Sequence, residues 1–121
     1  EIACLFAEGY PAGELKHGSL ALVEEGFPVF ALSTREALFA KTENALAEVR
    51  ARGAYTILLS QSEQALSQSC AHCKVLLPKI CAPLYPVLSV LPLQYFACRL
   101  SLLRGMDPDK PRNLAKSVTV E

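Results

Sequence analysis

Lys116 is a residue near the end of the chain that could form a covalent bond with a carbonyl substrate. It lies in the segment PRNLAKSVTVE (Pro111 to Glu121), where small and β-branched residues surround one amine. A lysine becomes a Schiff-base nucleophile only when burial or a neighbouring cation lowers its pKa. Arg112 supplies a cation nearby. From spacing alone, however, a solvated lysine in a chain end is the favoured interpretation.

An acid, an amine and an imidazole lie close together in the segment AGELKHGSLALV (Ala12 to Val23). The imidazole belongs to His17, and an imidazole titrates near neutral pH, which suits proton transfer during the ring opening of a sugar. The alternative is the start of a helix with solvated charges. Glu1 and Glu8 are carboxylates that could act as a general base on a C–H next to a carbonyl, although their neighbours single out neither.

The segment CAHC (Cys70 to Cys73) could indicate a zinc site or thiol redox chemistry. A structural zinc site needs four ligands, and only one such pair is present, so we favour plain thiols and expect neither a metal nor a cofactor. The chain has five cysteines and no export signal, which predicts reduced thiols and a cytoplasmic protein. No glycine-rich phosphate-binding motif occurs.

Twelve basic and twelve acidic side chains cancel, so the sequence predicts binding neither to nucleic acid nor to a membrane. One stretch, 80–98, has no charged residue and almost the length of a membrane span. It contains Pro83, Pro86 and Pro92, however, so we expect a kinked helix buried inside the protein.

Three apolar runs alternate with helical patterns along the chain. They predict strands over 27–33, 54–60 and 73–79, a helix over 36–52 that Gly53 ends, a short helix or turn between the last two strands, and a long helix over 82–104. Ser33 and Glu36 have the spacing of a capping box. This order is typical of parallel βαβ units, so the predicted class is α/β.

One domain at most fits in 121 residues. Three strands are few for an open parallel sheet, and the first residues read as the inside of a helix. We therefore expect an incomplete domain whose first strand and helix lie upstream, in a longer protein.

Two segments, AEGYPAGELKHGSLALV (7–23) and GMDPDKPRNLAKSVTVE (105–121), closely resemble the carboxy-terminal sugar-isomerase (SIS) domain of the isomerizing glutamine–fructose-6-phosphate aminotransferases. The motifs EVRARG (48–53) and PLQ (92–94) fit the same family. The resemblance implies a flavodoxin-like SIS fold, with residues 1–121 forming most of the second SIS domain and 105–121 its carboxy-terminal tail. It also implies a share in converting fructose 6-phosphate and glutamine to glucosamine 6-phosphate and glutamate.

The same resemblance implies a role for each candidate residue. Lys116 matches the lysine that forms the Schiff base with the open-chain sugar, and Ala115 beside it would line the sugar pocket. His17 matches the histidine that opens the sugar ring and reaches the site of the neighbouring subunit. Glu1 falls on the carboxylate that moves a proton between C1 and C2.

The partners implied are a sugar phosphate, a second subunit in a homodimer or larger assembly, and a glutaminase domain in the whole protein. The family resemblance also implies that this stretch alone is inactive. Two other functions stay open: a glutaminase-free sugar-phosphate isomerase or deaminase built from SIS domains, and a regulatory SIS module that binds a phosphosugar.

Overall fold

The computed structural model describes residues 1–111, and within them the chain forms three strands and three α-helices. Their order follows the alternation expected from the sequence, with single turns of 3₁₀ helix before α1 and α3. The strands are β1 (Pro28–Ser33), β2 (Tyr55–Ser60) and β3 (Cys73–Leu76), and the helices are α1 (Phe39–Arg50), α2 (Glu63–Gln68) and α3 (Tyr85–Leu103).

The three strands form one parallel sheet in the order β1-β2-β3, which confirms the predicted α/β class. Strand β2 lies between its neighbours, with Pro28 opposite Tyr55 and Ile57 opposite Cys73. Strand β3 ends at Leu76, earlier than the predicted residue 79. Pro78 explains the early end, because proline has no N–H to donate to a neighbouring strand.

The first long helix begins later than the sequence pattern suggests. One turn of 3₁₀ helix covers Glu36–Leu38, and α1 starts only at Phe39. The predicted capping box is wrong, since Ser33 is the last residue of β1 and no side chain caps the 3₁₀ turn. Gly53 does end this region as expected, with a φ of +92° that a side chain would strain.

Contacts divide the chain into two compact units, and the larger one, Gly9–Ser89, contains the whole sheet. Successive residues of β2 point to opposite faces of that sheet. Leu58 packs with Leu46 of α1 and Leu66 of α2, whereas Leu59 packs on the other face with Leu77 and Tyr85. Leu58 and Leu59 are almost completely buried. On α1, Ala45, Leu46 and Val49 are buried, while Leu38 lies outside α1 and is exposed.

The smaller unit combines residues 1–8 with the chain from residue 90 onward. Within it the Ser101 hydroxyl donates a hydrogen bond of 2.9 Å to the carbonyl oxygen of Ile2, and Ala3 is buried. Residues 1–10 form no helix, so the expected helical start is wrong.

Helix α3 is apolar but largely exposed, which contradicts the expectation of a buried helix. Val87, Leu91 and Tyr95 are each more than half exposed, and burial is confined to positions such as Tyr85, Ser89 and Ser101. The stretch Ala82–Leu103 has a mean hydropathy of 1.3. Judged by length and composition only, it is long and apolar enough to cross a membrane. Its apolar side chains stay exposed because few other described residues cover them.

Candidate functional site

His17 is the last residue of a 3₁₀ segment, Ala12–His17, and its side chain is exposed. The preceding residue holds this segment to α1, because Lys16 Nζ lies 2.8 Å from Glu48 Oε1. Gly18 follows with a φ of +137°, in a region of backbone space that favours glycine. The exposed imidazole of His17 therefore lies next to a backbone bend, in a segment that an ion pair connects to α1.

The other catalytic candidates from the sequence lie in the smaller unit or outside the described residues. Glu1 is exposed, belongs to the smaller unit, and its carbonyl oxygen accepts a hydrogen bond of 2.9 Å from the Cys4 N–H. His17 belongs to the larger unit. Lys116 and Ala115 lie outside the described residues, so their roles stay predictions.

The second histidine of the chain, His72, is held at the amino end of the sheet. Its ring Nδ1 accepts a hydrogen bond of 3.2 Å from the backbone N–H of Thr56. The backbone N–H of His72 donates to Thr56 Oγ1 at 3.2 Å. Its ring stacks on Tyr55 with centroids 5.1 Å apart. Because a backbone N–H can only donate, Nδ1 must be the acceptor and the ring carries its proton on Nε2. His72 thus links the starts of β2 and β3.

Cys70, at the start of the CAHC segment, is tied to α1 by two side chains. Its N–H donates to Glu43 Oε1, and its carbonyl oxygen accepts from Arg50. Burial raises the pKa of Glu43. Hydrogen bonds from Cys70 and Ser69 and the charge of Lys74 lower it by more than burial raises it, so the pKa is below its usual value. Burial, together with Glu43, raises the pKa of the Cys70 thiol.

A raised thiol pKa disfavours the reactive thiolate form of Cys70. All five cysteines are free, and Cys70 and Cys73 are partly buried. The backbone of Cys70 connects this segment to α1.

A cavity of about 250 Å³ opens at the carboxyl end of the sheet. Residues that follow each of the three strands line it, together with Tyr85, whose hydroxyl donates a hydrogen bond of 3.1 Å to the Ser33 carbonyl oxygen. Two cations, one carboxylate and several hydroxyl or amide groups face this space. They include Ser33, Arg35, Glu36, Ser60, Gln61 and Lys79.

The sequence-based search for chemistry missed this cavity, although a signal was present. Polar residues lie at the end of each predicted strand: STR at 33–35, SQS at 60–62 and a lysine at 79. Carboxyl ends of parallel strands meet at one edge of a sheet, which is where α/β proteins bind ligands. Each polar cluster taken alone is typical of an ordinary loop. The three clusters come together only because the strands pair side by side.

A parallel sheet packed against helices, with polar residues at its carboxyl edge, is an open α/β architecture, and such folds bind their ligands at that edge. The SIS domain family matches residues 1–104, and the chain belongs to that family.

The relatives that the chain resembles agree with the sequence-based recognition. It is 46% identical over 125 residues to the glutamine–fructose-6-phosphate aminotransferase (isomerizing) of Corynebacterium diphtheriae, and 50% identical over 121 residues to that of Thermococcus kodakarensis. Both alignments cover 100% of this chain and 20% of the relative. The chain thus spans about a fifth of the length of these relatives.

A solved structure extends the likeness to the fold. The C-terminal domain of glucosamine-fructose-6-phosphate aminotransferase from Francisella tularensis superposes with a TM-score of 0.82 at 33% identity. The match covers 90% of this chain and 31% of that one. The flavodoxin-like SIS fold expected from the sequence is therefore confirmed.

Proposed function

We propose that the chain is the second SIS domain of an enzyme that converts fructose 6-phosphate and glutamine to glucosamine 6-phosphate and glutamate. One observation carries this proposal: relatives with 46–50% identity across the entire chain bear the name of that aminotransferase. The whole protein would also contain a glutaminase domain and the remaining sugar-isomerase domain. It would act in the cytoplasm as a homodimer or larger assembly.

The proposed chemistry assigns one step to each candidate residue. His17 moves the proton that opens the sugar ring. The Lys116 amine then condenses with the C2 carbonyl and releases water, and ammonia displaces the lysine to leave an imine at C2. Glu1 removes a proton from C1 and returns it to C2, which leaves an aldehyde at C1 and an amine at C2. Ala115 lines the sugar pocket beside the lysine.

The geometry of the His17 segment supports its role. The exposed ring stands at a bend that an ion pair fastens to α1, so it can project beyond this domain toward a substrate bound elsewhere. The ring of His72, in contrast, is engaged with Thr56 and Tyr55. On the contacts within residues 1–111, His17 is the better candidate of the two histidines to serve another surface.

Borohydride trapping tests the Schiff base. The whole protein, reduced in the presence of fructose 6-phosphate, should gain a sugar adduct on the peptide that contains Lys116. Lys116→Arg should abolish the adduct, and Lys110→Arg, a nearby lysine, should leave it unchanged. An adduct that persists in Lys116→Arg would refute the assignment.

Mixing two inactive variants tests the sharing of the site between subunits. His17→Asn and Lys116→Arg should each lose turnover, and Glu1→Gln should lose it where Glu8→Gln does not. Refolding the first two together should restore about a quarter of wild-type activity, because half of the dimers are mixed and each has one intact site. His72→Asn is the control for the histidine, since it should keep turnover. No recovery on mixing would place His17 in its own subunit's site.

A further inference from the structure

We propose that Ser101 is a positioning residue for Glu1, which it holds through the backbone carbonyl oxygen of Ile2. The inference rests on the proposed function, in which the Glu1 carboxylate moves a proton between C1 and C2. It adds a buried serine of α3 to the groups on which that step depends. The role is indirect, because Ser101 acts through the backbone turn that carries Glu1.

The hydroxyl of Ser101 leaves its own helix to make this contact. A serine inside a helix commonly bonds a carbonyl oxygen one turn earlier, as Ser89 does with Pro86 at 3.2 Å. Ser101 Oγ instead donates to the Ile2 carbonyl oxygen at 2.9 Å, across 99 residues of sequence. Ser101 has no exposed surface, and a buried hydrogen bond is costly to leave unmade. The contact therefore fixes the backbone of Ile2 against the end of α3.

The segment that receives this hydrogen bond is a turn with one strained residue. The Cys4 N–H donates to the Glu1 carbonyl oxygen at 2.9 Å, which closes the turn over 1–4. Cys4 has a φ of +48°, the one positive φ of a non-glycine residue within residues 1–111. Such a conformation persists only where surrounding contacts hold it. The Ser101 hydrogen bond and the burial of Ala3 are contacts of this kind.

The Glu1 carboxylate depends on this turn for its direction. Glu1 is exposed, and within residues 1–111 its carboxylate makes no ion pair, since the ion pair found there joins Lys16 to Glu48. The backbone of the turn therefore aims the side chain. A proton transfer needs both partners within hydrogen-bond reach, so a shift of about 1 Å at the turn would slow it.

The same serine also fixes the direction in which the chain leaves α3. The Ser101 carbonyl oxygen accepts a hydrogen bond of 3.0 Å from the Met106 N–H, and the Gly105 N–H donates to the Leu102 carbonyl oxygen at 2.9 Å. With a φ of +72° at Gly105, these two bonds form a Schellman motif. Ser101 thus holds the turn of Glu1 with its side chain and the end of α3 with its backbone.

Turnover of fructose 6-phosphate dideuterated at C1 tests the proposal in the whole protein. Ser101→Ala should lower kcat about tenfold with little change in KM. The remaining turnover should show a full primary isotope effect, because proton transfer at C1 is then the slow step. Ser89→Ala is the matched control, since it removes a buried hydroxyl of the same helix that bonds Pro86, and it should keep wild-type turnover.

Two results with Ser101→Ala would overturn the proposal. One is an unchanged kcat in the folded variant. The other is a fall in kcat with an isotope effect near unity, because a general loss of structure would slow all steps and not the transfer at C1 alone. Ser101→Thr keeps the hydroxyl and should retain more turnover than Ser101→Ala.

Two substitutions at Cys4 test the turn without touching α3. Cys4→Gly adopts a positive φ without strain and should keep turnover. Cys4→Val places a β-branched residue where such residues are rare, so it should distort the turn and reproduce the kcat and isotope effect of Ser101→Ala. Cys4 is exposed, so neither variant changes a core. Equal turnover in the two variants would overturn the proposal even if Ser101→Ala fails to fold.

Borohydride trapping separates this outcome from that of the proposed function. Alanine keeps the backbone carbonyl that ends α3, so Ser101→Ala should still gain the sugar adduct on Lys116. No adduct in the wild-type protein would refute the proposed function. An adduct that forms in the wild type and is lost in Ser101→Ala would mean that Ser101 acts on the lysine and not on Glu1, which overturns the assignment.

Discussion

The two ends of the sheet use polar residues in opposite ways. At the amino end, the backbone N–H groups of Thr56 and His72 each donate to the other's side chain, and the His72 ring stacks on Tyr55. At the carboxyl end, Arg35 and Lys79 face a cavity and form no ion pair with the described residues. The residue types alone do not reveal this difference, since both ends are rich in groups that could do chemistry.

The comparison shows how a structural polar cluster differs from a candidate binding site. Buried hydrogen-bonding groups stabilise a fold when they are satisfied by one another and are costly when one partner is removed. Groups that face a cavity add little to folding, so their removal should change binding and leave stability nearly unchanged. Four substitutions outside the cavity measure how much contacts within the fold contribute to stability, through the local opening free energy of β2, measured by amide exchange in the whole protein.

The largest loss of stability is expected from Gly53→Ala, just before β2. Its φ is +92°, and an added Cβ would lie 2.8 Å from the backbone Cα of Glu25. The strained backbone and this contact should lower the opening free energy by about 3 kcal/mol. Gly26→Ala is the matched control: its φ is +77° with open space around it, and it should cost about 1–2 kcal/mol. Equal losses of opening free energy in the two variants would show that the structure shifts to relieve the contact with Glu25.

Thr56→Val should have the next largest effect. It keeps the shape of the side chain but removes the Oγ1 that accepts from the His72 N–H, in a residue that is fully buried. The expected loss is about 1–3 kcal/mol. Thr42→Val, on α1, is the control and should cost less than about 0.5 kcal/mol. A loss as small as that of the control would mean that the amino-end cluster does not hold the strands.

Glu43→Gln should produce a smaller effect that depends on pH. The folded pKa of Glu43 is below its usual value of 4.5, so its charge stabilises the fold above that pH. This contribution is lost as pH falls through the lower folded pKa. The wild-type advantage over Glu43→Gln should therefore be full near neutral pH and shrink in acid. Glu63→Gln controls for charge, and a pH-independent difference would contradict the pKa argument.

Lys16→Met should have the smallest effect on stability. Its ion pair with Glu48 is mostly exposed, and such pairs contribute about 0–1 kcal/mol. Turnover of the whole enzyme should nevertheless fall, because the ion pair fastens the segment that carries His17. Lys41→Met serves as the control. Normal turnover in Lys16→Met would show that His17 is positioned by other contacts.

Sequence reasoning predicted the fold better than the environment of each element. The strand runs 27–33 and 54–60 were nearly right because an apolar run bounded by glycine is a local signal. The predicted end of β3 was wrong although Pro78 is a local signal for it, and the predicted start of α1 was early by one 3₁₀ turn. The burial predicted for α3 was wrong because burial depends on residues that are distant in sequence. Of the four residues to which the resemblance assigns a role, Glu1 and His17 lie in the described part of the chain, and their roles stay predictions.

By itself, the sequence determined the α/β class and the SIS family, because periodicity and the segments around His17 and Lys116 are written in consecutive residues. Only the tertiary structure decided that the ring of His72 is hydrogen-bonded and that the ring of His17 is exposed. The partner of His72 comes from a strand that lies 16 residues earlier. The tertiary structure also brought Ser33, Ser60 and Lys79 around one cavity. The physical reason is that parallel pairing aligns the ends of strands that are far apart in the chain.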